Sequence, residues 1–282
     1  MKLAAPRRRG DRYDAAQVAP PRNLNAIFPY LMKGRNQSLV LYPIDIDAEN
    51  LLAYVEARKG TPDQISLFEA MMLALIAVLR RRPHMNRYVI GRRLYQRRDV
   101  VLSFIAKRSM TDDGEETSVM ITITPEDDRA AILAKLRGSI EHAKSGGAKD
   151  DDQLVEMLTR LPRSLLRLIV RGLATYDFYR DTPGFLRGLD PLRCTAFVAN
   201  LGSVGAGAPY HHLYEWGTCS LFVAIGTVGP QVCVGEDGRP TVRRVMPWRV
   251  SLDERITDGY YGARSLDLLR QYMLDPALLD DL

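Results

Sequence analysis

Apolar residues along this chain alternate or run continuously over short segments, and elsewhere recur at helical spacing, a pattern that predicts a mixed α/β protein. An apolar run from Ser38 to Ile46 reads as a strand that feeds a helix over 49–58, ended by Lys59-Gly60. Thr61-Pro62-Asp63-Gln64 then supplies an N-cap threonine, a proline at the first helical position and a Gln at the capping-box position, so a helix is expected to open there. Ile65 to Leu79 is apolar except for Ser66 and Glu69, and is shorter than the roughly 20 residues of a bilayer span. It is therefore expected to be a core helix, with Glu69 reaching the surface along its stem. Segments 87–96, 99–107 and 117–124 are β-rich, and Pro125 to Asp128 opens a helix expected to reach Ser145. Gly146-Gly147 reads as a loop and Asp150-Asp151-Asp152 as a new helix start.

In the next stretch Arg160, Arg163, Arg167 and Arg171 line one helical face, with leucines and Ile169 around the rest. Such a basic amphipathic helix is of the kind that lies on membrane surfaces, but its place mid-chain favours packing on the domain with the arginines solvated or ion-paired. The last third reads as strands over 195–201, 220–228 and 242–252, with Gly235-Glu236-Asp237-Gly238 as a hairpin turn. After the last strand Asp258-Gly259 supplies a turn, and Ala263, Leu266, Leu269 and Met273 recur at helical spacing up to Pro276. By spacing alone, Asp258 is the cap of that helix.

The 282 residues, 46% hydrophobic and 26% charged, suffice for one sizeable domain over 22–282. Residues 1–21, rich in Arg, Ala and Pro, are expected to form a flexible N-terminal arm. A net charge of +5 suits an acidic ligand such as a nucleotide-bearing cofactor. The basic arm lacks the aromatic interleaving that single-stranded nucleic acid requires, so no nucleic-acid partner is expected. Three cysteines without a C-x-x-C pair and four histidines without ligand spacing give no metal site. Met1–Pro6 leads straight into arginines rather than the apolar stretch of about 7–15 residues that a secretory signal carries, so the expected location is cytoplasmic.

Three motifs carry a family resemblance. Asp253-Glu254-Arg255-Ile256-Thr257-Asp258-Gly259 is similar to the D-H-R-x-x-D-G signature of the chloramphenicol acetyltransferases and of the dihydrolipoamide acyltransferase core of 2-oxoacid dehydrogenase complexes. Asp253, Arg255, Asp258 and Gly259 match; Glu254 stands where the family carries its catalytic histidine. Ala196-Phe197-Val198-Ala199-Asn200-Leu201-Gly202 is similar to the F-T-I-S-N-L-G strand of the dehydrogenase-complex enzymes, with Ala199 in place of the serine that helps hold the oxyanion. Pro83-His84-Met85-Asn86 resembles the P-x-x-N that follows the long helix in that family.

The resemblance, over residues 22–275, implies an α/β (α+β) fold of the chloramphenicol acetyltransferase-like kind, a two-layer sandwich with a mixed sheet and flanking helices, with a helical insertion near 150–190 that the dehydrogenase-complex core lacks. It also implies a homotrimer with each site between subunits, CoA or acyl-CoA as substrate, and a small-molecule or carrier-bound acyl substrate. Ala199, Asn200, Gly202 and Ser203 are the expected CoA contacts. Asp258 is implied to pair with an arginine from near the N-terminal strand, Arg22 or Arg35. With the imidazole absent, the base candidates are Glu254 itself and His211 or His212, which could orient it or replace it. Loss of an oxyanion donor costs ~10²–10³ in rate and loss of the acid–base group ~10²–10⁴. Two readings therefore stand side by side: an acyltransferase with an altered site, and a non-catalytic trimeric relative that binds a ligand or a partner.

Overall fold

A long strand, β10 (Pro240–Asp253), organises the main sheet of the computed structural model, which describes residues 8–107, 116–145, 159–184, 187–235 and 237–282. On one side β10 pairs antiparallel with β2 (Leu39–Asp47), and on the other with β8 (Leu221–Ile225) and β9 (Gly229–Val234). Two parallel pairings follow, from β8 to β7 (Ala196–Asn200) and from β7 to β5 (Val100–Lys107), and β6 (Glu116–Ile123) closes the far edge antiparallel. The result is a seven-stranded mixed sheet of order β2-β10-β8-β7-β5-β6 with β9 beside β10.

Strand alternation divides the side chains between two faces. Met246, Trp248, Val250 and Leu252 of β10, Leu221, Val223 and Ile225 of β8, and Ala196 and Val198 of β7 enter the main core. Against them pack α2 (Glu49–Ala57), α3 (Leu67–Arg81), α4 (Arg129–Lys144) and α6 (Gly259–Leu274). The intervening Phe197, Phe222 and Ala224 point to the opposite face, where Cys194, Leu213 and Cys219 join them in a smaller apolar cluster. Asn86 ties the strands laterally: its Nδ2 donates to the Asp99 carbonyl, and its Oδ1 accepts from Thr195 Oγ1 at 2.6 Å.

The core helix forms as the apolar run predicts, and every residue from Glu69 to Leu79 is buried, as befits a helix apolar on all sides. Its start differs from the expectation. Ser66, not Thr61, is the N-cap: Ser66 Oγ accepts from the Glu69 backbone N–H, and the Glu69 carboxylate accepts from the Ser66 N–H at 2.7 Å, a complete capping box. Thr61 and Gln64 instead close the preceding turn, with Thr61 Oγ1 donating to the Arg58 carbonyl and Gln64 Oε1 accepting from the Gly60 N–H. Glu69 is accordingly not a surface-seeking acid; it is 7% exposed and ion-paired to Arg137 Nε at 2.5 Å.

The N-terminal arm is also corrected from Arg12 onward. Ala15–Gln17 (β1) pairs with β4 (Arg93–Arg97), which pairs with β3 (Arg87–Ile90) in a separate three-stranded sheet; the segment expected as one strand over 87–96 is a hairpin. Arg12 is buried against Asp177 at 2.8 Å, and Arg193 reaches the same carboxylate at 3.0 Å. A segment whose arginine has a buried counter-charge is held by that ion pair and cannot stay a solvated arm. Residues 1–7 and the helix start expected at Asp150–Asp152 lie outside the described residues. The arginine-bearing helix is α5 (Arg163–Tyr179), of whose residues only Asp177 is buried. Leu168 and Tyr179 are 68% and 71% exposed, so the expected packing of this helix on the domain is confined to its C-terminal end. No helix of the described residues is long and apolar enough to cross a membrane.

Burial works to raise the Glu69 carboxyl, but the Arg137 guanidinium and the Ser66 donors outweigh it and hold the group below its ordinary value. A folded-state value below the unfolded one gives stability that is present above about pH 4.3 and lost as pH falls through the folded value. Glu69→Gln should therefore lower the urea midpoint at pH 7, and the gap to the parent should close in acid below the carboxylate range. A gap of equal size on both sides of that range would contradict the capping-box pairing.

Candidate functional site

The strand-to-helix connection after β10 is built around Asp253, which is fully buried. Its Oδ1 accepts from Ser38 Oγ at 2.9 Å and from the Arg255 N–H and Nε at 3.1 and 2.8 Å; its Oδ2 accepts from Arg255 Nη2 at 2.7 Å. Arg255 Nη1 continues to the carbonyls of Met32 and Lys33. The carboxylate thus locks the end of β10 to the segment that precedes β2. A buried pair repays its desolvation only when its remaining donors and acceptors are satisfied, and here they are.

Glu254 sits between the two locked residues. Its N–H donates to the Ser38 carbonyl at 2.9 Å, which fixes its backbone, while among the described residues its carboxylate joins no ion pair. It lies near Tyr42, whose phenol is raised first by burial and then by the negative charge of Glu254. Asp258 is the N-cap of α6, accepting from the Tyr261 N–H at 2.8 Å, and is exposed.

The structure does not join Asp258 to either expected arginine. Arg22 is exposed on the surface, whereas Arg35 is 4% exposed and donates to the carbonyls of Tyr214, Glu215 and Gly217 at 3.2, 2.9 and 2.6 Å. The buried arginine-to-aspartate pair of this turn is Arg255 with Asp253, two residues apart in sequence. The spacing-based reading of Asp258 as a helix cap describes the protomer; the ion pair implied by resemblance does not. The D-x-R spacing was the one sequence signal that could have pointed to the real pair.

The second motif straddles the sheet. Ala199 packs with the smaller apolar cluster on one face. Asn200, Gly202 and Ser203 line a cavity of about 160 Å³ on the other, closed by Phe68 and Met71 of α3 and by Met246. Gly202 must be glycine for this approach, because a Cβ there would stand 2.7 Å from the Gly226 carbonyl oxygen.

His211 lies flat on Phe222, ring centroids 3.8 Å apart, with its Nδ1 2.7 Å from the His212 carbonyl; its own carbonyl accepts from Ser251 Oγ. His212 is exposed and stacks on His211 at 4.4 Å. His211 therefore shares the face of Ala199, and among the described residues no hydrogen bond or ion pair joins either imidazole to Glu254. Among the described residues no cluster of three His, Cys, Asp or Glu side chains could hold a metal.

Solved structures supply the fold assignment. The atomic structure of the cubic core of the pyruvate dehydrogenase multienzyme complex superposes with a TM-score of 0.58, 15% identical over 99% of both chains. A probable dihydrolipoamide acetyltransferase from Listeria monocytogenes 4b F2365 gives 0.58, 14% identical over 92% of this chain and 95% of the other. A chloramphenicol acetyltransferase gives 0.53, 11% identical over 93% and 98%. The chain has the chloramphenicol acetyltransferase-like acyltransferase fold. No family model and no curated protein matches it by sequence. The expected fold class, a mixed sheet flanked by helices, is thus what the chain adopts.

Removing Asp253 would strand Arg255 in the interior, whereas removing Asp258 deletes one exposed cap. Asp253→Ala should cost about 3–5 kcal/mol and Asp258→Ala about 1 kcal/mol, read from urea unfolding of the two variants. Equal losses would show that Asp258 carries a buried partner after all.

Proposed function

We propose that the chain is a CoA-dependent acyltransferase-fold protein that moves an acyl group from a thioester to a hydroxyl, amine or thiol, with Glu254 in place of the usual imidazole. The observation that carries this reading is the cavity beside Asn200–Ser203: it opens at the retained N-L-G segment, in a fold shared with acetyltransferases. In the proposed step the Glu254 carboxylate takes the proton of the acceptor as its heteroatom bonds to the acyl carbon. The C–S bond then breaks, and the departing sulfur recovers the proton from Glu254. Ala199 has no hydroxyl to offer the oxyanion, so backbone N–H groups must supply that stabilisation.

No hydrogen bond or ion pair joins Glu254 to His211 or His212 among the described residues, which supports a site completed between subunits of a homotrimer. His211 and His212 then belong to the acceptor side of that joint site, with His211 held by its stacking on Phe222. A second reading, a non-catalytic trimeric relative that holds a ligand or partner, is favoured by one observation: both side chains that carry the resembled chemistry are replaced while Gly202 and the cavity are kept.

Light scattering should give three times the 31.8 kDa chain mass. CoA or acetyl-CoA should raise the melting temperature, and Ser203→Trp, a substitution at an exposed position on the cavity wall, should abolish that rise without unfolding the protein. A rise unaffected by Ser203→Trp would put the ligand elsewhere. Glu254→Ala should then remove acyl transfer to a small thiol if the protein turns over. A folded Glu254→His, Ala199→Ser double variant that binds CoA yet transfers nothing would favour the non-catalytic reading.

A further inference from the structure

A second cavity, of about 350 Å³, opens between the turn of the β3–β4 hairpin, the C-terminal half of α5 and the Glu215–Gly217 segment. It shares no lining residue with the cavity beside Asn200. Its charged lining comprises Lys33, Arg35, Arg92 and Arg255 against Asp177 and Glu215. The two carboxylates are already engaged. Asp177 holds Arg12 and Arg193, and Glu215 accepts from the backbone N–H groups of Arg35 and Asn36 and from Asn36 Nδ2. Arg255 is likewise committed to Asp253. That leaves three cations without a carboxylate partner among the described residues: Lys33, Arg35 and Arg92.

Arg35 is the least expected of them. It is 4% exposed, its terminal nitrogens are engaged by main-chain carbonyls, and its Nε has no hydrogen-bond partner. A buried guanidinium without an ion-paired carboxylate is an electrostatic deficit that a bound anion would remove. Burial is correspondingly the largest influence on this group, and it pulls the guanidinium below its ordinary value despite the nearby charge of Asp253.

Independent evidence comes from the backbone at the cavity mouth. Gly91 and Arg92 form a two-residue hairpin turn, both left-handed, with φ of +58° and +60°. Gly91 has no alternative, since a Cβ would meet the Phe178 carbonyl oxygen at 2.2 Å. Position 92 is under no such limit, and glycine or asparagine would sit there with less strain. The chain nevertheless places an arginine there, its guanidinium 5.7 and 5.9 Å from the ring centroids of Tyr30 and Phe178. Strain retained for the sake of one side chain marks a position at which that side chain is used.

We propose that this cleft binds a small organic carboxylate, with Arg35 beneath it, Arg92 and Lys33 at the mouth, and its apolar body against Phe178 and Trp216. A carboxylate suits the cleft better than a phosphate, because the terminal nitrogens of Arg35 are taken by carbonyls and its Nε is shielded, so Arg35 acts through its charge and leaves few donors for phosphate oxygens, and much of the wall is apolar. The assignment is independent of acyl transfer at the other cavity.

The test is calorimetric and ligand-observed NMR titration of the full chain with phenylacetate, with its neutral analogue 2-phenylethanol and inorganic phosphate as controls. Phenylacetate should bind saturably, and each control at least about tenfold more weakly, the weight of one charge-assisted contact. Arg92→Gly should weaken phenylacetate by a similar factor while melting no lower than the parent, since it relieves the left-handed strain. A merely structural Arg92 would leave the affinity unchanged. Arg35→Met should abolish binding; if that variant fails to fold, Arg92→Gly and the neutral analogue decide the matter. No saturation at millimolar phenylacetate, equal affinity for the alcohol, tighter binding of phosphate, or an unchanged Arg92→Gly affinity would each overturn the proposal.

Discussion

The burial of Asp253 is the constraint on which the candidate site depends. A carboxylate with no exposed surface must collect its counter-charge and its donors from whatever lies within reach, and here these are the next turn and the residue just before β2. The consequence is geometric. Ser38, Asp253 and Arg255 fix where β10 stops and where β2 starts, and the Arg255 bonds to the Met32 and Lys33 carbonyls draw the N-terminal segment over the same point. Glu254 owes its position to this clamp, for its neighbours on both sides are immobilised and its own N–H is bonded. The Glu254 backbone is thereby fixed independently of its side chain.

Sheet alternation then decides what can meet what. On β7 a step of one residue carries Ala199 to one face and Asn200 to the other. The cavity at Asn200 is closed by the N-terminal turn of α3, and the Ala199 face carries His211 on Phe222. The alternation of β7 thus places the Asn200 cavity and the imidazole-bearing surface on opposite faces of one sheet.

Much of this was legible in the sequence. The apolar runs gave the strands of the main sheet and the core helix because burial dictates the periodicity directly, and the three short motifs led to the right fold although two of them carry a replaced side chain, at Glu254 and Ala199. The boundary of α3 was misplaced because Thr61-Pro62 and Ser66-Leu67-Phe68-Glu69 both satisfy start rules, and only tertiary contact with Arg137 favours the second. The N-terminal arm was misread because composition reports solvation, whereas the partner of Arg12 lies 165 residues away. The Asp258 ion pair failed for a different reason. A role was carried over by resemblance onto a matching residue, while the local chemistry of an aspartate followed by glycine and a helical repeat already described a cap.

Arg35 is buried just before β2, in surroundings other than those the resemblance implies. The resemblance implied an arginine near the N-terminal strand whose charge is answered by Asp258; here the buried arginine of that region is answered by main-chain carbonyls instead. Carbonyl dipoles engage its terminal nitrogens but leave its Nε without a partner and do not carry the full counter-charge of a carboxylate. Asp258 caps its helix from an exposed position. The two groups are thus held by separate local contacts, Arg35 by carbonyls of the 214–217 segment and Asp258 by the Tyr261 N–H.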